Sequence, residues 1–230
     1  MATLVSERTD EPWRRRAFLP VYEIAEAARY ADVAPNTVAA WHKTEFLSSK
    51  DKGASLNYMQ LIEVAVVATF RKMGVKLDAI RAARAYAARK LQAEYPFAVY
   101  RFKVEARHLF LDSTQVDVKP DTVLQADQGG QLTWQHMIGR LSEFDYEDEG
   151  FVTQWHVAGR RSPIVIDPRK SFGAPTVKGI PTWVIKGRWQ AGESNADIAD
   201  DFGIKKDEVR EALKFEGVAA RGRNTSRVLN

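Results

Sequence analysis

Four histidines (His42, His108, His136, His156) and the acidic run Ser142-Glu-Phe-Asp-Tyr-Glu-Asp-Glu-Gly150 are the side chains here that could move a proton or hold a cation. Neither pattern suits the task. The histidines are scattered over two predicted units, and none stands at a metal-ligand interval such as His-x-x-x-His. His108 and Asp112 pair a base with an orienter only nominally, because four residues on a strand separate them by more than ten ångströms, at about 3.3 Å per residue. The chain has no cysteine, which removes thiolate zinc sites, iron-sulfur clusters, disulfides and a Cys nucleophile together. It also has no Gly-rich phosphate loop and no Gly-x-Ser-x-Gly. The expectation is a protein that is not an enzyme, with no cofactor and no metal.

The chemistry the sequence does offer is polyanion recognition. Residues 71–107 hold ten Lys or Arg against three acids, a local net charge of +7 in a chain whose total is +4. Such asymmetry points to a basic face. Just before it, "YEIAEAARYADVAPNTVAAWHK" (22–43) has the cadence of two helices joined by a short turn. Ile24, Ala27 and Ala28 fall at i, i+3, i+4; after the turn at Val33, Val38 and Trp41 repeat the spacing. Pro35 suits the first position of the second helix, where its missing N–H costs nothing. Asn36, Thr37, Ala40 and Lys43 then face outward, where a recognition helix would meet base edges and phosphates. With His42, Arg71 and Lys72 they form the expected DNA-binding set.

These residues need a scaffold, and the periodicity supplies one. "FLSSKDKGASLN" (46–57) suits a wing or loop, and Asn57 with Gln60 forms a capping box. A helix follows with Tyr58, Leu61, Ile62, Ala65, Thr69 and Met73 along one side, until Gly74 stops it. The next helix buries Leu77, Ile80, Ala83, Ala87 and Leu91, turns Arg81, Arg84 and Arg89 elsewhere, and ends before Pro96. After Pro96 the period becomes alternating, with Ala98, Tyr100, Phe102 and Val104 predicting a strand. "HLFLD", "QVDVK", "FVTQWHV" and "SPIVID" read as further strands, and "QGGQLTW" as a turn into a helix through Phe144.

Pro and Gly crowd into "DPRKSFGAP" (167–175), which marks a boundary. Beyond it, Pro181 starts a helix that Gly192 ends, and Ser194 with Asp197 caps another. Gly203 then makes a turn, and Val209 and Leu213 line a last helix. The expected fold is α+β and mainly helical. Its parts are a flexible arm (1–17), a winged helix-turn-helix (18–95), an α+β middle or dimerisation region (96–166), a C-terminal tri-helical helix-turn-helix (167–219) and a basic tail (220–230). No apolar run approaches the roughly 20 residues that cross a bilayer, and the N-terminus lacks the order of a secretory signal. The expected location is the cytoplasm.

The first of these units resembles the MerR-type winged helix-turn-helix, on Tyr22, Ala27, Val33, Pro35, Thr37, Val38 and Trp41 and the helical pair of residues 56–83. It departs at Ala34, where a capping Ser or Thr is usual, a difference of about 1 kcal/mol. Residues 164–216 are similar to a small antitoxin-like domain found beside genes for PIN-type nucleases. That similarity rests on Asp167, Pro168, Gly173, Pro175, Gly179, Pro181, Thr182, Gly192, Ile198, Ala199 and the 209–215 helix. Ile180 stands where that family often has Arg. The order of the two units resembles the long antitoxins of VapBC-type toxin-antitoxin systems.

The resemblance implies a homodimer that binds operator DNA, represses its own operon and neutralises a PIN-type ribonuclease toxin, with no membrane involvement. DNA is assigned to the N-terminal unit beside the positive charge, and the toxin to the C-terminal unit and tail. In the tail, Arg221, Arg223 and Arg227 could pair with carboxylates of the nuclease. One alternative is a MerR-like ligand-responsive repressor with a pocket around Trp134, Phe151 and Trp155; another is a DNA-architectural protein.

Overall fold

The computed structural model describes residues 12–44, 55–99, 141–147 and 150–218, within two compact units, residues 1–157 and 158–230. The first unit contains α1 (Pro12–Arg16), β1 (Tyr22–Glu23), α2 (Ile24–Ala31), α3 (Pro35–Lys43), β2 (Ser55–Leu56), α4 (Tyr58–Lys72) and α5 (Leu77–Leu91). Among the described residues a 3-10 turn (Pro96–Ala98) and the strands β3 (Phe144–Tyr146) and β4 (Val152–Trp155) follow.

The centre of this unit is α4. Its start is fixed as the sequence predicts: the Gln60 amide donates to Asn57 Oδ1 at 2.8 Å, and the Asn57 amide to Gln60 Oε1 at 2.9 Å. Its environment is wider than a single apolar stripe suggests. Every residue from Tyr58 to Ala68, and Phe70, is buried, because α2, α5, the 3-10 turn and β4 all pack on it. A polar residue on α4 must therefore bring its partner inside. Glu63, fully buried, accepts from Arg84 Nε at 2.5 Å and from the Phe97 amide at 2.7 Å. Arg84, expected to face away from the core, is thus turned into it, its side chain only 12% exposed.

Two other segments differ from the sequence expectation. Residues 12–17, placed in the flexible arm, form a helical turn whose Arg14 reaches Glu147 at 2.5 Å, and Ala17 is fully buried. Arg14 also lies 5.1 Å from the centre of the Trp13 ring and 5.6 Å from that of Phe151, so cation–π contacts add to the ion pair. At the start of the strand expected from Ala98, a 3-10 turn ends at Ala98 and one bridge pairs Val99 with Phe151, the rest of that strand lying outside the described residues. Pro96 at the start of the turn withholds the N–H a ladder needs. Phe144, expected to end a helix, begins β3, which pairs antiparallel with β4. Tyr100, Phe102, Val104, "HLFLD", "QVDVK" and "QGGQLTW" lie outside the described residues.

The second unit is an antiparallel meander, β5 (Ile164–Ile166), β6 (Pro175–Val177) and β7 (Ile180–Pro181), followed by α6 (Thr182–Gln190), α7 (Asn195–Phe202) and α8 (Lys206–Phe215). α8 packs on α6, α7 and β6. Ile164, Ile166, Val177, Ile185, Ile198, Val209 and Ala212 are buried at 1% exposure or less, and each fully buried aliphatic contributes about 1.5–3 kcal/mol. Ser194 caps α7 by accepting from the Asp197 amide. Gly203, at φ 62°, ends α7 in the left-handed region, and Ile204 donates back to Ala199 at 3.0 Å. Thr182 donates to Glu216 Oε1 at 2.5 Å, which ties the start of α6 to the end of α8.

Candidate nucleic-acid interface

The candidate interface is the outer face of α3, and its orientation follows from three local constraints. Val38 and Trp41, three residues apart, are 0% and 4% exposed and fix which side of α3 faces the core. The antiparallel pairing of Tyr22 with Leu56 and Glu23 with Ser55 closes a short ribbon between the start of α2 and the chain after α3. The α2–α3 turn is held by Asp32, which adopts φ 53° while its amide and that of Val33 return to the end of α2. Asn36, Ala40 and Lys43 are consequently exposed, while Thr37 and His42 are half-buried. Thr44 Oγ1 donates to the Ala40 carbonyl at 2.8 Å and finishes the helix. Ala34, at the N-cap, supplies no side-chain acceptor.

Arg71 and Lys72 sit elsewhere in the scheme. Arg71 Nη1 donates to the Val75 carbonyl at 2.8 Å, which stabilises the turn after α4. Lys72 Nζ lies 2.7 Å from Asp32 Oδ2 and 3.2 Å from the Ala31 carbonyl oxygen, at the α2–α3 turn. That ammonium holds the Asp32 carboxyl below its ordinary range, first through the hydrogen bond and then through its charge. The expected DNA-binding set left out Arg15, Arg29 and Lys76, all exposed on this unit. Arg29 lies over the Tyr30 ring at 4.8 Å.

Charge differs between the described first unit and the α7–α8 pair. The described segments 12–44 and 55–99 contain twelve Lys or Arg and six acids, of which Asp32, Glu63 and Asp78 pair with Lys72, Arg84 and Arg81. Residues 195–215, spanning α7 and α8, contain four Lys or Arg and six acids. Asp197, Asp200, Asp201 and Asp207 there are exposed, and Arg210 pairs with Asp207. Lys178 meets Glu208 at 3.0 Å, and the Glu208 carboxyl is held low chiefly by the Lys205 amide. The positive excess of the first unit comes from α1, α4 and α5, since residues 22–43 hold Arg29 and Lys43 against Glu23, Glu26 and Asp32.

The acidic run has structural partners. Asp145 faces His156 at 2.9 Å and Glu147 takes Arg14, while Glu143 receives the His156 amide through its carbonyl. Burial pushes the Tyr146 phenol well above its ordinary value. Among the described residues no group of three or more His, Cys, Asp or Glu could hold a metal ion. Phe151 packs on Trp13 and Phe18, with centroids 5.6 and 6.2 Å apart, and Trp155 on Phe144 at 5.9 Å. No described helix is long and apolar enough to cross a membrane. Trp134, His108, His136, Arg221, Arg223 and Arg227 lie outside the described residues.

Comparison with known proteins adds three findings. A family described as a protein of unknown function (DUF433) matches residues 164–215, the meander and three helices of the second unit. The chain is 23% identical over 236 residues to a Mycobacterium tuberculosis protein named "Putative antitoxin VapB45", covering 89% of this chain and 97% of that one. It shares the fold of the crystal structure of Rv2018 from Mycobacterium tuberculosis, with a TM-score of 0.68 at 20% identity over 85% of this chain and 98% of that chain.

Proposed function

We propose that this chain is a cytoplasmic, non-catalytic antitoxin that binds operator DNA through its first unit and restrains a PIN-type ribonuclease toxin through its second. The observation that carries the reading is the nearly coextensive match to a relative named as an antitoxin. The geometry supports a division of labour. α3 offers Asn36, Ala40 and Lys43 on a rigid base within a basic unit, in the manner of a MerR-like winged helix-turn-helix. α7, the Gly203 turn and α8 have a helix-turn-helix outline but an acidic surface, which suits a protein partner better than phosphates. A homodimer follows from the twofold symmetry of palindromic operators. Repression of the chain's own operon is the expected consequence.

The test has two arms. The DNA immediately upstream of the chain's own coding sequence, labelled as a duplex, is titrated by fluorescence anisotropy at fixed salt; specific binding above a scrambled duplex is expected. The tagged chain is also recovered from its native cells after a high-salt, nuclease-treated wash, and bound ribonuclease is assayed on a synthetic RNA. Absence of a stoichiometric ribonuclease sinks the antitoxin reading. Deletion of residues 220–230 tests the tail, since unchanged inhibition removes Arg221, Arg223 and Arg227 from the toxin contact. The ligand-responsive alternative gains nothing from Phe151 and Trp155, which are buried in packing.

A further inference from the structure

Among the described residues the two most exposed large apolar side chains are Phe172, 72% exposed, and Trp183, 62% exposed, both in the second unit. Exposure of one large ring is ordinary; two beside the same pair of short strands require an account. Phe172 stands three residues before β6 and Trp183 two residues after β7. Ser171 Oγ donates to the Gly179 carbonyl at 3.0 Å, which fastens the turn carrying Phe172 to the β6–β7 connection. Trp183 is four residues beyond Gly179. At about 3.5 Å per residue, the two backbone positions lie within the span of the roughly 800 Å² that one partner contributes to an interface of standard size.

Phe172 is also mounted stiffly. Ser171, Phe172 and Gly173 have φ values of 45°, 54° and 80°, and the turn is closed by Gly173 donating to Lys170 at 2.8 Å and Ala174 to Ser171 at 3.1 Å. Holding a Phe in the left-handed region costs about 1–2 kcal/mol. A ring displayed on such a turn has little freedom left to lose on binding.

The neighbouring cations decide what kind of surface this is. Of the five between residues 169 and 188, Arg169 is bonded to Asp167 and Lys178 to Glu208. Lys186 donates to the Glu216 carbonyl, and Arg188 pairs with Glu193 and Asp201. Among the described residues, Lys170 alone of the five has no internal partner. A polyanion site needs uncommitted cations. Rigid, exposed aromatic rings with mostly neutralised charge are instead the anchors of protein interfaces, where Trp is over-represented among the residues that carry affinity.

We propose that Phe172 and Trp183 are the anchors by which the second unit docks the toxin, each entering an apolar pocket on it, with Lys170 meeting a carboxylate at the rim. The proposal rests on the antitoxin reading.

The full-length tagged chain, wild type and the single variants Phe172→Gly, Trp183→Ala and, at an exposed residue outside both candidate interfaces, Asp78→Asn, is recovered from native cells after a high-salt, nuclease-treated wash. Bound ribonuclease is assayed on a synthetic RNA, and each variant's melting temperature is recorded. Glycine suits the backbone at residue 172, so that variant removes the ring without unfolding the turn. Retained ribonuclease is expected to fall about tenfold or more in Phe172→Gly and Trp183→Ala without a fall in melting temperature, and to stay at the wild-type level in Asp78→Asn. Wild-type retention in both ring variants overturns the anchors and leaves the antitoxin reading intact. No ribonuclease on the wild type removes that reading and the proposal with it. A 20-nucleotide single strand that binds the wild type and is lost by the ring variants, with ribonuclease retained, makes the rings a stacking platform and overturns the proposal.

Discussion

Lys72 Nζ lies 2.7 Å from Asp32 Oδ2 and 3.2 Å from the Ala31 carbonyl oxygen, so the last turn of α4 braces the turn between α2 and α3. The side chain stabilises carbonyl groups at a helix C-terminus, where a cation is favoured, and orients α3 from behind. Lys72→Met is expected to weaken DNA binding about two- to fivefold through misplacement of α3. A phosphate contact behaves differently: its loss lowers the slope of log K against log salt by about 0.9. Titrations at four salt concentrations separate the two, and a lowered slope would return Lys72 to the DNA-contacting set.

Lys43 and Asn36 are exposed on α3 and make the contrasting case. Lys43→Ala is expected to weaken all duplexes alike and to lower the salt slope by about one. Asn36→Ala should instead reduce the preference for specific over scrambled duplex, by about 1–3 kcal/mol if the amide reads a base edge. Anisotropy with both duplexes decides; wild-type behaviour of the two variants would move the interface off α3.

Glu63 and Arg84 should respond very differently to single and paired substitution. Burial pushes the Glu63 carboxyl upward, while Arg84 and the Phe97 amide pull it back. Glu63→Gln leaves the buried guanidinium without its counter-charge and is expected to cost about 3–5 kcal/mol in urea denaturation. Glu63→Leu combined with Arg84→Met should recover most of that loss. A single variant within 1 kcal/mol of wild type would mean that water compensates the charge.

Gly203 tests the turn between α7 and α8 without a packing complication, because a Cβ there would meet nothing within 4 Å. At φ 62° the substitution Gly203→Ala should cost about 1–2 kcal/mol by conformational strain alone, and Gly203→Asn less. Thermal melts of the two variants give the difference, and equal stability would locate the strain outside this residue.

Local signals in the sequence were legible wherever the partner lay within one turn of helix. The Asn57–Gln60 cap, the stops at Gly74 and Gly192, the Ser194 cap and the Gly203 turn all satisfy backbone groups a few residues away. The spacing of Val38 and Trp41 likewise defined the outward face of α3. Distant partners were invisible: Arg14 finds Glu147 across 133 residues, Lys72 finds Asp32 across 40 and Arg84 finds Glu63 across 21. The sequence reading left Arg14 in a flexible arm, gave Lys72 to DNA and turned Arg84 away from the core, and each proves to be a tether. The aromatic pair at residues 172 and 183 escaped notice because apolar residues are assigned to a core by default, and only the solved fold shows which of them the core leaves out.

Because α4 is enclosed along Tyr58–Ala68, its amides can reach water only when the surrounding elements separate from it. Hydrogen exchange of Leu61–Ala68 therefore reports the cooperative opening of the whole first unit rather than local fraying. Any influence that loosens α3 without exposing α4 would pass unseen by those amides, which makes them an internal clock against which motions of α3 can be timed.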